Sequence, residues 1–154
     1  MNTKMKQLTT AIVFTLLAAF IHPAFAEDQA KGVLITKKTV EGYSLEYRLL
    51  NLEERKDLMK GMEGMKMHGM SDSPDVTNHL VVYAKEGAGQ KSVTAKIGFN
   101  ITNPDGSSFK TLTMGMQDGY GADVIFNAKG NYKIQMKAVI AGKTINDEIS
   151  YEMK

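Results

Sequence analysis

From Gly32 to the C-terminus, apolar and polar residues alternate with a period of two, broken by turn residues. In an extended chain successive side chains point to opposite faces, so such alternation describes strands with one buried face. In Tyr43–Asn51, residues Tyr43, Leu45, Tyr47 and Leu49 share one face against Ser44, Glu46 and Arg48. Ser92–Thr102 places Val93, Ala95, Ile97, Phe99 and Ile101 together. Gly32–Val40, Asn78–Lys85, Phe109–Met116 and Gly121–Asn127 read as further strands, and Tyr132–Ile140 with Lys143–Met153 as a closing hairpin about Ala141-Gly142. Glu41-Gly42, Gly87–Gln90 and Asn103-Pro104-Asp105-Gly106 supply turns. Proline presets φ at the second turn position and glycine suits the end. Turns at this spacing predict an antiparallel β-sandwich of about eight strands. The faces carrying Leu45/Tyr47, Leu80/Val82, Ile97/Phe99, Val124/Phe126 and Ile134/Met136 are expected to form one core.

Gly130-Asn131-Tyr132 resembles the tyrosine corner of immunoglobulin-like domains, which implies a buried ring whose hydroxyl bonds nearby backbone. An ordinary core tyrosine is the alternative. The fold class expected is therefore all-β, an immunoglobulin-like sandwich with a Met-rich loop or short helix inserted after the second strand.

The N-terminus reads as a leader. Lys4 and Lys6 precede the apolar run Ala11–Ile21, and Pro23-Ala24-Phe25-Ala26 offers an A-x-A cleavage site. This is the pattern of a secretory signal peptide, with an apolar run shorter than the roughly 20 residues that span a bilayer. Residues 1–26 are assigned to it and Glu27–Lys154 to a single domain, periplasmic, with no stable membrane insertion after cleavage. Removing Lys4 and Lys6 takes Lys plus Arg from 19 to 17, equal to Asp plus Glu. A neutral domain without a basic patch predicts no nucleic-acid partner. The chain has no cysteine, so disulfides, thiol chemistry and cysteine-zinc sites are excluded and the fold rests on its apolar core.

The insertion, residues 52–76, departs from the strand pattern. Leu52–Met59 is rich in helix formers, but glycines follow at 61, 64 and 69, each costing about 1 kcal/mol in a helix interior. Within Met59–Met70, MKGMEGMKMHGM, methionine stands at 59, 62, 65, 67 and 70, with His68 among them. A helical stripe of methionine packed on the sandwich would be core, since methionine fills irregular gaps. That reading is opposed by the glycines, by the absence of Leu, Ile, Val and Phe from the segment, and by its interleaved charges. Thioether sulfur is neutral and soft, and it suits Cu(I). Spacings of two and three residues let a short loop gather several sulfurs around one ion, and His68 adds an imidazole. Met114-Gly115-Met116 repeats M-x-M at a strand. Two other uses of an exposed methionine loop are a contact surface for a partner and a sacrificial target for oxidants.

His79 precedes Leu80, Val82 and Ala84, so alternation directs it away from the core. It either points to solvent or joins the metal ligands. Asp118 and Asp123 flank Gly119-Tyr120-Gly121 and read as turn caps, with oxygen donation the alternative. No nucleophile–base arrangement and no phosphate loop is present, so no enzymatic activity is expected.

The second half resembles small periplasmic immunoglobulin-like domains of the YtkA/FixH-like type. The matching stretches are Asn78-His79-Leu80-Val81-Val82, Ala95-Lys96-Ile97, Asn103-Pro104-Asp105-Gly106, Met114-Gly115-Met116, Asp118-Gly119-Tyr120-Gly121 and Gly130-Asn131-Tyr132-Lys133-Ile134. MGMQDGYGADV is also similar to a stretch of periplasmic iron-uptake proteins that bind copper through Met and His at a sandwich edge. Those usually carry a histidine in the D-G-x-x-Y-G region, where this chain has none. The resemblance implies an exported metal-handling sandwich.

The reading of the sequence is an exported protein that binds copper, as Cu(I), through Met59, Met62, Met65, Met67, His68, Met70, Met114 and Met116, with His79 as a further ligand. It would buffer the ion or deliver it to a copper transporter, chaperone or metalloenzyme. The alternatives are a non-metal interaction domain with an exposed methionine surface, and a periplasmic iron-uptake accessory protein.

Overall fold

The computed structural model describes residues 31–60, 73–87, 91–116 and 118–154. The assigned leader and residues Met62, Met65, Met67, His68 and Met70 lie outside them. The first hairpin joins β1 (Val33–Val40) to β2 (Tyr43–Leu50) through Glu41 and Gly42, both at positive φ. Ala141 and Gly142 do the same between β9 (Gly130–Ile140) and β10 (Lys143–Met153). Two successive positive-φ residues make the turn whose twist matches that of the flanking strands.

Among the described residues between β2 and β3 (Asn78–Glu86) lies α1 (Leu52–Met59), a short helix, one of the two forms expected of the insertion. Asn51 caps it reciprocally: its side chain accepts from Glu54 N at 2.9 Å, and the Glu54 carboxylate accepts from Asn51 N at 2.9 Å. This box satisfies two donors that a helix start would leave bare.

The remaining strands are β4 (Lys91–Ser92), β5 (Ala95–Thr102), β6 (Ser108–Leu112), β7 (Met114–Gly115) and β8 (Tyr120–Val124). One sheet runs β1-β2-β3-β8-β7, with β4 also on β3, and the other runs β10-β9-β5-β6. Every pairing is antiparallel. The all-β sandwich is thus observed, with ten strands among the described residues where the sequence suggested about eight.

Two continuous alternating runs account for the difference. Ser92–Thr102 breaks at Val93-Thr94 because the chain passes there from the first sheet to the second. Phe109–Met116 breaks at Thr113, where it passes back. Alternation continues through a crossing, so periodicity does not mark it. The breaks leave backbone groups without ladder partners, and side chains supply them. Tyr120 donates its hydroxyl to Val93 O at 2.9 Å and accepts from Ala95 N at 2.7 Å. Thr113 donates from both its backbone N and its Oγ1 to Ile97 O.

All ten residues named for the core faces are buried together. Tyr132 is fully buried, and its hydroxyl donates to Ala128 O at 3.0 Å and accepts from Ala128 N at 2.9 Å. The expected tyrosine corner is present. Tyr47 crosses the core to donate to Asp147 Oδ2 at 2.8 Å, and Lys38 pairs with the other Asp147 oxygen at 2.7 Å. Burial, then the Asp147 hydrogen bond, pushes the Tyr47 hydroxyl well above the usual phenol range, so it remains a donor.

A candidate metal centre on the outer face of the first sheet

The face of β3 turned away from the core carries His79, Val81 and Tyr83. Across the ladder, His79 stands opposite Asp123, and Val81 opposite Gly121. Gly121 in turn stands opposite Met114. Met116 N donates to Gly119 O at 2.8 Å, which carries the same register one step further. Directly opposite residues of an antiparallel pair share a face. His79, Gly121, Asp123, Met114 and Met116 therefore occupy one surface, outside the sandwich core.

That surface is not open. α1 packs across β2 and β3, and the His79 side chain is 1% exposed. Alternation placed His79 correctly on the outer face; of its two expected uses, pointing to solvent is overturned by its burial beneath that face. Asp123 is corrected too. It lies within β8 rather than in a turn, with its side chain 3% exposed. Asp118 is exposed in the turn between β7 and β8.

Among the described residues, Asp123 engages one partner with each oxygen. His79 Nδ1 lies 2.8 Å from Oδ1, and Arg55 Nη2, from α1, donates to Oδ2 at 2.6 Å. Burial pushes the Asp123 carboxyl up, but the His79 hydrogen bond and the Arg55 charge outweigh it and hold the carboxyl below its ordinary value. An ionised carboxylate only accepts, so Nδ1 carries the hydrogen. In the neutral ring, Nε2 is then left with its lone pair.

Nε2 is buried and has no hydrogen-bond partner among the described residues. Buried polar nitrogens are rarely left so. Among the described residues, the backbone of Gly121 and the terminal methyl of Met116 lie beside it. A Cβ at Gly121 would collide with Nε2 and sit 2.9 Å from Met116 Cε. The missing side chain is what lets the imidazole and the thioether approach one point. Met114 and Met116 are half-buried. Met59, at the end of α1, lies four residues beyond Arg55, on the same side of the helix, and is also half-buried.

Of the ligands expected from sequence, His79, Met114 and Met116 are brought to one face. Met59 sits at the end of α1, which packs on β2 and β3, and the other five lie outside the described residues. Among the described residues no group of three or more His, Asp or Glu could hold a metal. The donor set that the described residues offer is imidazole plus thioether, which fits a soft ion and not a hard one. Sequence reasoning missed Arg55 and Gly121 altogether. A signal for Asp123 existed: it is a lone carboxylate between the apolar Ala122 and Val124. A groove of about 870 Å³ lies on the other sheet, lined by residues that include Leu112, Gln135 and Lys137. It is not part of this arrangement.

No protein-family model matches the chain, and no curated protein matches it. Solved structures do share its fold. A DUF4426 family protein from Pseudomonas aeruginosa PAO1 is similar with a TM-score of 0.60 at 11% identity, over 77% of this chain and 93% of its own. A copper-bound variant of FetP from uropathogenic Escherichia coli strain F11 is similar with a TM-score of 0.57 at 18% identity, over 81% of this chain and 97% of its own. At these identities the likeness is one of fold.

Proposed function

We propose that this chain is an exported copper-binding protein that holds Cu(I) at His79 Nε2 and the thioethers of Met116 and Met114. The methionines of Met59–Met70 act as additional ligands. The observation that carries the reading is the buried Nε2, without a hydrogen-bond partner among the described residues and facing Met116 across Gly121. The fold shared with a copper-bound FetP variant supports the choice of metal. The ligands are neutral, which favours a monovalent ion in a buried place. The protein buffers or hands over the ion and does no chemistry on it. Export rests on the leader pattern, and mass spectrometry of the secreted protein should find Glu27 at its N-terminus.

Cu(I) titration under reducing conditions, against a chromophoric chelator, tests the site. Met114→Leu with Met116→Leu should lower affinity at least about tenfold while leaving the apo fold nearly as stable, because leucine keeps the volume and loses only the sulfur. The set Met62→Leu, Met65→Leu, Met67→Leu and Met70→Leu measures what the loop adds. Unchanged affinity in both sets would overturn the proposal.

A further inference from the structure

Arg55 is out of place for an exposed helix. Its neighbours Glu53, Lys56 and Asp57 are solvated, whereas its own side chain is 15% exposed and its Nε is buried without a partner among the described residues. Burying a guanidinium is costly unless a carboxylate compensates it. Asp123 does so through one oxygen while the other holds His79. Arg55, Asp123 and His79 thus form one string that ends at Nε2.

The charge along that string bears on which ion the site prefers. A carboxylate behind a metal-binding imidazole makes the ring a stronger donor, and its negative charge favours the more highly charged ion. Asp123 alone would draw the site toward Cu(II). The Arg55 charge offsets that of Asp123, and the thioethers add none.

Resting on the copper reading above, we infer that Arg55 is a positioning and specificity-determining residue. It cancels the field of Asp123 at His79 Nε2 and so tilts the site toward Cu(I) over Cu(II). A unit charge roughly 10 Å from the ion, at an effective dielectric of about 20, shifts such a one-charge preference by about one power of ten.

The test measures Cu(I) and Cu(II) affinities separately, each against a chelator for that state, in the full mature protein and three variants. Arg55→Met should lower the ratio of Cu(I) to Cu(II) affinity about tenfold, which for a one-electron couple moves the potential down by about 59 mV. Asp123→Asn should move the ratio up. Arg55→Lys, which keeps the charge, should restore most of the preference. Opposite signs for Arg55→Met and Asp123→Asn are something a merely structural role would not give. If Arg55→Met does not fold, the rise in Asp123→Asn must still appear. Copper binding with ratios within about twofold of the parent in the folded variants would overturn the role of Arg55 and leave the site standing. No binding of either ion by the parent would overturn both.

Discussion

His79 and Asp123 face each other on β3 and β8, 2.8 Å apart from Nδ1 to Oδ1, though 44 positions apart in sequence. The contact fixes the imidazole from one side and leaves its other nitrogen turned toward Gly121 and Met116.

The clearing at Gly121 is the most economical place to probe the centre. Gly121→Ala puts a methyl group into both His79 Nε2 and Met116 Cε. Overpacking of this kind costs about 1–3 kcal/mol. Chemical denaturation should show that loss, and Cu(I) affinity should fall at least about tenfold. Parental affinity and stability together would mean that the two side chains do not converge there.

Tyr120 joins the sheets by hydrogen bonds to backbone on both sides of Thr94. Tyr120→Phe should cost about 1–3 kcal/mol, since it leaves a half-buried amide and carbonyl without their partner. Hydrogen exchange at the Ala95 amide should quicken more than exchange in β9. Uniform quickening across both sheets would show a global loss instead.

Phe99 is 2% exposed at the centre of the second sheet's inner face. Phe99→Ala should cost about 3–5 kcal/mol in urea denaturation. A loss below about 1 kcal/mol would place the ring outside the core.

Acid should weaken the fold partly through Glu46. Its burial raises its pKa, but Arg48, whose Nε lies 2.6 Å from Oε1, and Lys37 reverse this, and the net shift is downward. A carboxylate with a depressed folded pKa stabilises above its unfolded value, about 4.3, and loses that contribution as pH falls through the folded one. Thermal melts of Glu46→Gln should therefore decline less than the parent's between about pH 5 and pH 3. Parallel declines would show that Glu46 contributes nothing to acid sensitivity.

The sandwich was legible because Tyr47, Ile97 and Phe99 sit in regular alternation, and a buried face requires that pattern. The helix over Leu52–Met59 was legible from its helix-forming residues, whereas its capping box between Asn51 and Glu54 was not read. What alternation did not reveal were the crossings at Val93-Thr94 and Thr113, since a strand that changes sheet keeps its period. The candidate site was half legible. His79, Met114 and Met116 were singled out by their ligand chemistry, and the fold brings them to one face. Arg55 looks like any helix-surface arginine until α1 is laid across β3, and Gly121 acts through an absent atom. Contacts of that kind depend on the third dimension alone.

The centre also has a place in the order of folding. The β9–β10 hairpin pairs residues 130–153 in continuous register about a two-residue turn, so it closes with little loop entropy. His79 and Asp123 meet only after a much longer stretch has been gathered, and contacts between distant segments form slowly. An ion held at Nε2 would therefore recognise the completed sandwich and not its precursors. Its binding free energy would then add to the fold by mass action, so copper supply would set how much of the chain survives heat or protease.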